Sequence, residues 1–152
     1  MNIFQGKRIV LGITGSIAAY KMISLASSLI KLGADVDTLL TEYAEKLVTP
    51  LSFSAVTGRG AKTDRDLWQA QNHVLHIEMG EQNDGFLIAP ATATTIAKLA
   101  HGIADNLVTL SALASRTPIL VAPAMDGGMY NNPATQRNLE ILEERGIQIL
   151  GP

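Results

Sequence analysis

The chain has 152 residues, 47% of them hydrophobic, enough for one domain with a full core. Twelve basic against fourteen acidic side chains leave a net charge of −2, which argues against nucleic acid as the main partner. With no cysteine, these residues offer neither a disulfide framework nor a thiol nucleophile. No stretch approaches the roughly 18 unbroken apolar residues of a membrane span, and MNIFQGKRIV lacks the pattern of a signal peptide, so a cytoplasmic protein is expected.

In chain order, Ile9, Val10, Leu11 and Ile13 form a short β-rich run of the kind a strand buried on both faces shows. Gly12 and Gly15 interrupt it, and helical spacing follows: Met22, Leu25, Ala26 and Leu29 fall at i, i+3, i+4 and i+7, with Gly33 as a stop. This predicts a strand, a small turn, and a helix whose N-terminal N–H groups can hold a phosphate. The spacing Gly-x-x-Gly-Ser matches neither a dinucleotide fingerprint nor a P-loop. The second strand, Ala34 to Leu40, ends at Thr41, and Asp35 stands at its start, the wrong end to grip a ribose hydroxyl. These features suit a monophosphate better than NAD; a tight βα turn without ligand uses the same glycines.

Helical signals around Pro50 follow, then a polar surface loop from Gly58 to Ala70, and His76 to Gln82 as a short helix. Gly85 to Pro90 reads as the third strand, Ala91 to Thr95 as a small-residue turn, and Ile96, Leu99 and Ala100 as the apolar side of a helix ended by Gly102. Asp105 is expected to cap a helix through Ser115. Pro118 to Ala122 is the fourth strand, Pro133 opens a helix to Arg145 closed by Gly146, and Gln148 to Leu150 begins a last strand. Alternating strands and helices predict a doubly wound parallel α/β sheet. Four loops, after Ile13, Leu40, Ala89 and Ala122, should then share one edge.

Three stretches carry a resemblance: GITGSIAAYK at 12–21, PATATTIAKLAHGIADNL at 90–107 and PAMDGGMYNNPAT at 123–135. Together they resemble the homo-oligomeric flavin-containing cysteine decarboxylases, most closely those acting on phosphopantothenoylcysteine in coenzyme A synthesis, such as the N-terminal half of the bacterial bifunctional enzyme. The resemblance spans essentially the whole chain. It implies a flavodoxin-like Rossmann fold in three layers, one FMN-binding domain over 1–152, and trimers that assemble further into dodecamers. By position it places FMN contacts on Gly15, Ser16, Ala18, Thr41, Leu47, Thr92, Ala93, Thr94, Thr95 and Ala124. His76, in HIEM, matches the catalytic histidine, and Asp126, beside Met125, matches the substrate-binding asparagine.

The implied reaction oxidises the substrate's cysteine moiety, releases carbon dioxide to give an enethiol, and reduces that to the thiol. Histidine, with a side-chain pKa near neutrality, suits the proton removal. His73 lies three residues from His76, but no third metal ligand stands in register; His101 reads as a helix-end residue, and Met125 and Met129 read by type as packing. Asp126 trades an amide that donates for a carboxylate that accepts, and Thr94 stands where the family pattern has Asn. Leu47 and Tyr130 stand where Phe and Trp are frequent, and both keep apolar area. The family donates the final proton from a cysteine on a C-terminal flap, so this stretch by itself is expected to bind FMN and stall at the enethiol, as a fragment of a longer protein or one whose flap was lost. Alternatives are a peptidyl-cysteine decarboxylase, a flavin prenyltransferase, whose opening turn is not met here, and a non-catalytic flavin-binding assembly subunit.

Overall fold

Unbroken apolar runs become strands covered on both faces, and the alternation along them divides the core in two. Val10 of β1 (Arg8–Ile13) and Leu39 of β2 (Asp35–Leu40) point to one side; Leu11, Ile13, Val36 and Leu40 point to the other. The computed structural model describes residues 2–69 and 74–151. The remaining strands are β3 (Lys62–Thr63), β4 (Gly85–Ala91), β5 (Ile119–Pro123) and β6 (Gln148–Ile149). All pair in parallel, in the order β3-β2-β1-β4-β5-β6. This is the Rossmann strand order, and helices on both faces complete a flavodoxin-like three-layer α/β fold.

Helices α1 (Lys21–Lys31) and α2 (Pro50–Thr57) cover one face through Ala26, Leu29 and Phe53. The other face is covered by α4 (Leu75–Glu81), α5 (Ala93–His101), α6 (Leu107–Ala114) and α8 (Pro133–Glu144), through Met79, Ile96, Val108 and Leu142. Two short helices, α3 (Asp64–Leu67) and α7 (Gly127–Asn131), lie in the connections. A Cβ on Gly12 would come 3.0 Å from a methyl of Val108, so the missing side chain lets α6 press on the central strand. Among the described residues no helix is long and apolar enough to cross a membrane.

The predicted strands and their parallel direction hold, with local differences. The stretch 58–70, read as a surface loop, contains α3 and also β3, two residues that are a strand by virtue of pairing with Leu39 and Leu40. A 3₁₀ turn, Ile17–Tyr20, precedes α1 where the spacing runs straight into α-helix. The turn placed at 91–95 already holds the first residues of α5, capped by Thr92. The cap of α6 is Asn106 rather than Asp105: its side chain accepts from the Thr109 N–H at 2.9 Å, while Asp105 is drawn off into an ion pair with Lys98.

Candidate functional site

The sheet order reverses between β1 and β4, so their outgoing turns part and leave a crevice at the carboxyl edge. Hydrogen bonds lace the turns side by side. The Thr14 hydroxyl donates to the Pro90 carbonyl at 2.5 Å and accepts from the Thr92 N–H at 3.1 Å. The Thr41 N–H reaches Ile13 O at 3.1 Å, and the Ala124 N–H reaches Ala91 O at 3.0 Å. Thus all four turns predicted to share an edge are tied into one surface, across which the cis Ala89–Pro90 bond enters the β4 turn.

In the crevice lies a cavity of about 320 Å³, within the range of small-molecule sites. Its walls unite Gly15, Thr41 and Thr92 to Thr95 from three separate turns, with Tyr43, Lys98, Asn106 and Met129. A Cβ on Gly15 would stand 2.5 Å from Tyr43 Cβ, so glycine is what lets the first turn and the Tyr43 segment meet. Ser16 caps the 3₁₀ turn by accepting from the Ala18 N–H at 3.3 Å. Thr92 caps α5 by accepting from Thr95 N at 3.1 Å, which leaves the N–H groups of Ala93 and Thr94 without an intrahelical acceptor. The wall therefore offers hydroxyls, main-chain donors and one ammonium.

A second cavity, about 470 Å³, is lined by Pro123, Ala124, Met125, Gly127, Tyr130 and Asn131. Helix α7 stands between the two, with Met129 on the first and Tyr130 on the second. Asp126 caps α7: its Oδ2 accepts from Gly128 N at 2.8 Å, a bond an asparagine oxygen could also make. A third cavity, about 480 Å³, opens at the amino ends of the strands among Phe4, Ile9, Leu87 and Leu120. Its charged groups, Lys7 and Asp84, are already paired with each other. Its apolar lining lacks the convergent polar groups of the crevice.

The predicted residues are gathered unevenly. Gly15, Thr41 and Thr92 to Thr95 share the first cavity; Ala124 and Met125 line the second, and Asp126, the exposed cap of α7, stands in the chain between Met125 and Gly127 of that second lining. Leu47 is exposed after the Ala44–Lys46 turn and lines neither cavity. His76 is half-buried on α4 and also lines neither. Its helix is fixed by Glu78, which pairs with Arg8 at 3.2 Å, while Arg8 and Arg59 both bind the buried Asp37. His73 lies outside the described residues; His101 bonds Asn138 at 3.1 Å at the end of α5. Among the described residues no cluster of three His, Asp or Glu side chains could hold a metal.

Tyr43, Lys98 and Asn106 were not singled out from the sequence, and Met129, read there as packing, lines the cavity. Lys98 carried a signal: it stands four residues after Thr94 and three after Thr95, on the face those threonines share. Acidic groups gather nearby. Burial holds the half-buried Asp64 carboxyl above its usual range, Glu45, Glu42 and Asp105 add to the rise, and the Leu107 N–H it accepts at 2.8 Å opposes it.

The sequence pattern of the Flavoprotein family matches residues 4–152. The chain is 42% identical over 152 residues to the coenzyme A biosynthesis bifunctional protein CoaBC of Vibrio vulnificus, spanning all of this chain and 38% of that one. Among solved structures it is similar to the FMN-dependent cysteine decarboxylase SpaF, with a TM-score of 0.91 and 34% identity over 98% of this chain and 86% of that one. A cysteine-to-serine variant of PPC decarboxylase, complexed with pantothenoylaminoethenethiol, aligns with a TM-score of 0.84 and 35% identity over 95% and 81% of the two chains.

Proposed function

This chain belongs to the Flavoprotein family, and from that membership we propose that it binds FMN in the β1/β4 crevice and decarboxylates 4′-phosphopantothenoylcysteine to 4′-phosphopantetheine in coenzyme A synthesis, as a cytoplasmic enzyme. One observation carries the reading: a cavity at the point of strand reversal, lined by Gly15, Thr41 and the Thr92–Thr95 turn, with the Thr41 hydroxyl after β2 and no carboxylate among its lining residues. That donor set fits a flavin monophosphate and gives a dinucleotide's ribose no acidic partner.

In this reading Gly15, Ser16, Ala18, Thr41, Thr92, Ala93, Thr94 and Thr95 hold the cofactor from the crevice side, with Ala124 from the second cavity, and Leu47, outside both, is assigned to it by its place in the family pattern alone. Bound FMN supplies the electron sink for oxidising the cysteine moiety, a task no side chain performs. His76 takes the thiol proton, as general bases near neutral pH do. Met125 and Asp126 border the substrate beside the second cavity. Among the described residues His76 lines neither of the two carboxyl-edge cavities, and a homo-oligomer, a trimer or trimers gathered into a dodecamer, brings copies together at this edge. Ile17 (83% exposed) and Leu51 (75% exposed), apolar side chains flanking the turns, are the surface for that contact.

The test is to mix FMN-loaded protein with phosphopantothenoylcysteine without oxygen and follow the flavin absorption. Bleaching is expected, slowed by roughly 10²- to 10⁴-fold in His76→Gln with FMN affinity unchanged. Flavin bands that ignore the substrate would refute the assigned substrate, and unchanged bleaching in H76Q would remove His76 from the mechanism.

A further inference from the structure

Lys98 is the one cationic side chain among the described residues lining the crevice cavity. It stands on the face of α5 that carries Thr94 and Thr95, all three lining the cavity. There Nζ lies 2.9 and 3.0 Å from the two oxygens of Asp105. Asp105 is the more exposed partner, with 55% of its side chain accessible against 26% for Lys98, and an ion pair this open to water is weak. The ammonium is therefore held at the cavity wall by a counter-ion that an entering anion can replace at small cost.

The surroundings need such a cation. Glu42, Glu45, Asp64 and Asp105 give this end of the molecule a negative field, strong enough to contribute to the raised Asp64 carboxyl. Arg65 is engaged by Glu45, and Lys46 lies over the Tyr43 ring at 4.6 Å. Main-chain N–H groups and threonine hydroxyls give a phosphomonoester hydrogen bonds but no net charge. Such an ester carries between one and two negative charges near neutral pH.

We propose that Lys98 exchanges Asp105 for the phosphate ester of bound FMN and is the residue by which this site distinguishes FMN from riboflavin. The proposal rests on the flavin reading above and names a contact that reading leaves open. Asp105 serves as the resting partner that keeps the ammonium in place.

The test is the affinity of the purified protein for FMN and for riboflavin, by quenching of flavin fluorescence, in the wild type, Lys98→Gln, Lys98→Arg and Asp105→Asn. The loss of a charge-assisted hydrogen bond predicts that K98Q weakens FMN binding by roughly 10- to 100-fold and leaves riboflavin unchanged. K98R should retain most of the FMN preference, and D105N should bind FMN at least as tightly as the wild type. An equal loss for both flavins in K98Q, or no loss for either, would overturn the proposal. A wild type that binds neither flavin would refute the flavin reading itself, and this assignment with it. A K98Q protein that loses the wild-type circular dichroism transfers the decision to K98R and D105N: a preference for FMN lost in K98R, or weakened in D105N, would overturn it.

Discussion

Gly15 decides whether the first turn can meet the segment after β2. A Cβ there would sit 2.5 Å from the root of the Tyr43 side chain, which cannot swing aside as a side-chain tip can. Gly15→Ala is therefore expected to displace Tyr43 and weaken FMN binding at least tenfold while the circular dichroism stays unchanged; full affinity would mean that the Tyr43 wall is not part of the site. Asp126 makes a different case, because its cap to Gly128 survives replacement by asparagine. Asp126→Asn removes a charge that repels a substrate carboxylate and should raise kcat/KM without altering Tm. Asp64 tests the electrostatics. Its carboxyl titrates above the usual range because it is partly buried, so between the ordinary and the raised pKa the folded state binds more protons than the unfolded one. Stability from this group is complete below the ordinary carboxyl pKa and is lost as pH rises through the raised value. Asp64→Asn, whose amide oxygen can still accept from Leu107, should have a higher Tm than the wild type at pH 7, by a margin that shrinks toward pH 3. A lower Tm at pH 7 would show that the charge at the head of α6 outweighs its burial.

At the scale of elements, α4 is placed by a close crossing. A Cβ on Gly80 would lie 2.6 Å from the Ser111 carbonyl oxygen and 2.9 Å from Ala114 Cβ on α6. Gly80→Ala is expected to cost roughly 1–3 kcal/mol in urea unfolding, as overpacking does. It should also slow substrate-driven flavin bleaching, since α4 carries His76; unchanged stability would show that α4 and α6 can part freely. The elements that could be read from the sequence are those whose own residues pay the cost of ordering. β1, β4 and β5 are apolar runs, and α1 and α8 carry apolar stripes with their stops in place, Gly33 (φ 96°) and Gly146 (φ 80°). Lys62 and Thr63 have no such pattern, because β3 exists through the hydrogen-bonding edge that β2 offers. The first turn of α5 was hidden because Ala-Thr-Thr shows no apolar period, and Asp105 was misread because a cap-forming residue was claimed by a lysine seven positions away.

For the whole molecule, parallel strands with reversal between β1 and β4 turn scattered small-residue loops into one surface; the shared edge followed from the alternation of strands and helices, whereas the strand order and its reversal are properties of the folded sheet. The walls did not follow in that way. Tyr43, Asn106 and Met129 come from three segments whose convergence no periodicity encodes, while Lys98 follows Thr94 and Thr95 at helical spacing. The position of His76, outside the two carboxyl-edge cavities among the described residues, is likewise a property of the folded molecule. Hydrogen exchange with and without FMN locates the flavin. FMN is predicted to protect the amides of 14–20, 41–47 and 92–97, and to leave the amino-edge cavity around Phe4, Leu87 and Leu120 unchanged. Protection at that amino edge, with none in the three turns, would contradict a flavin in the crevice.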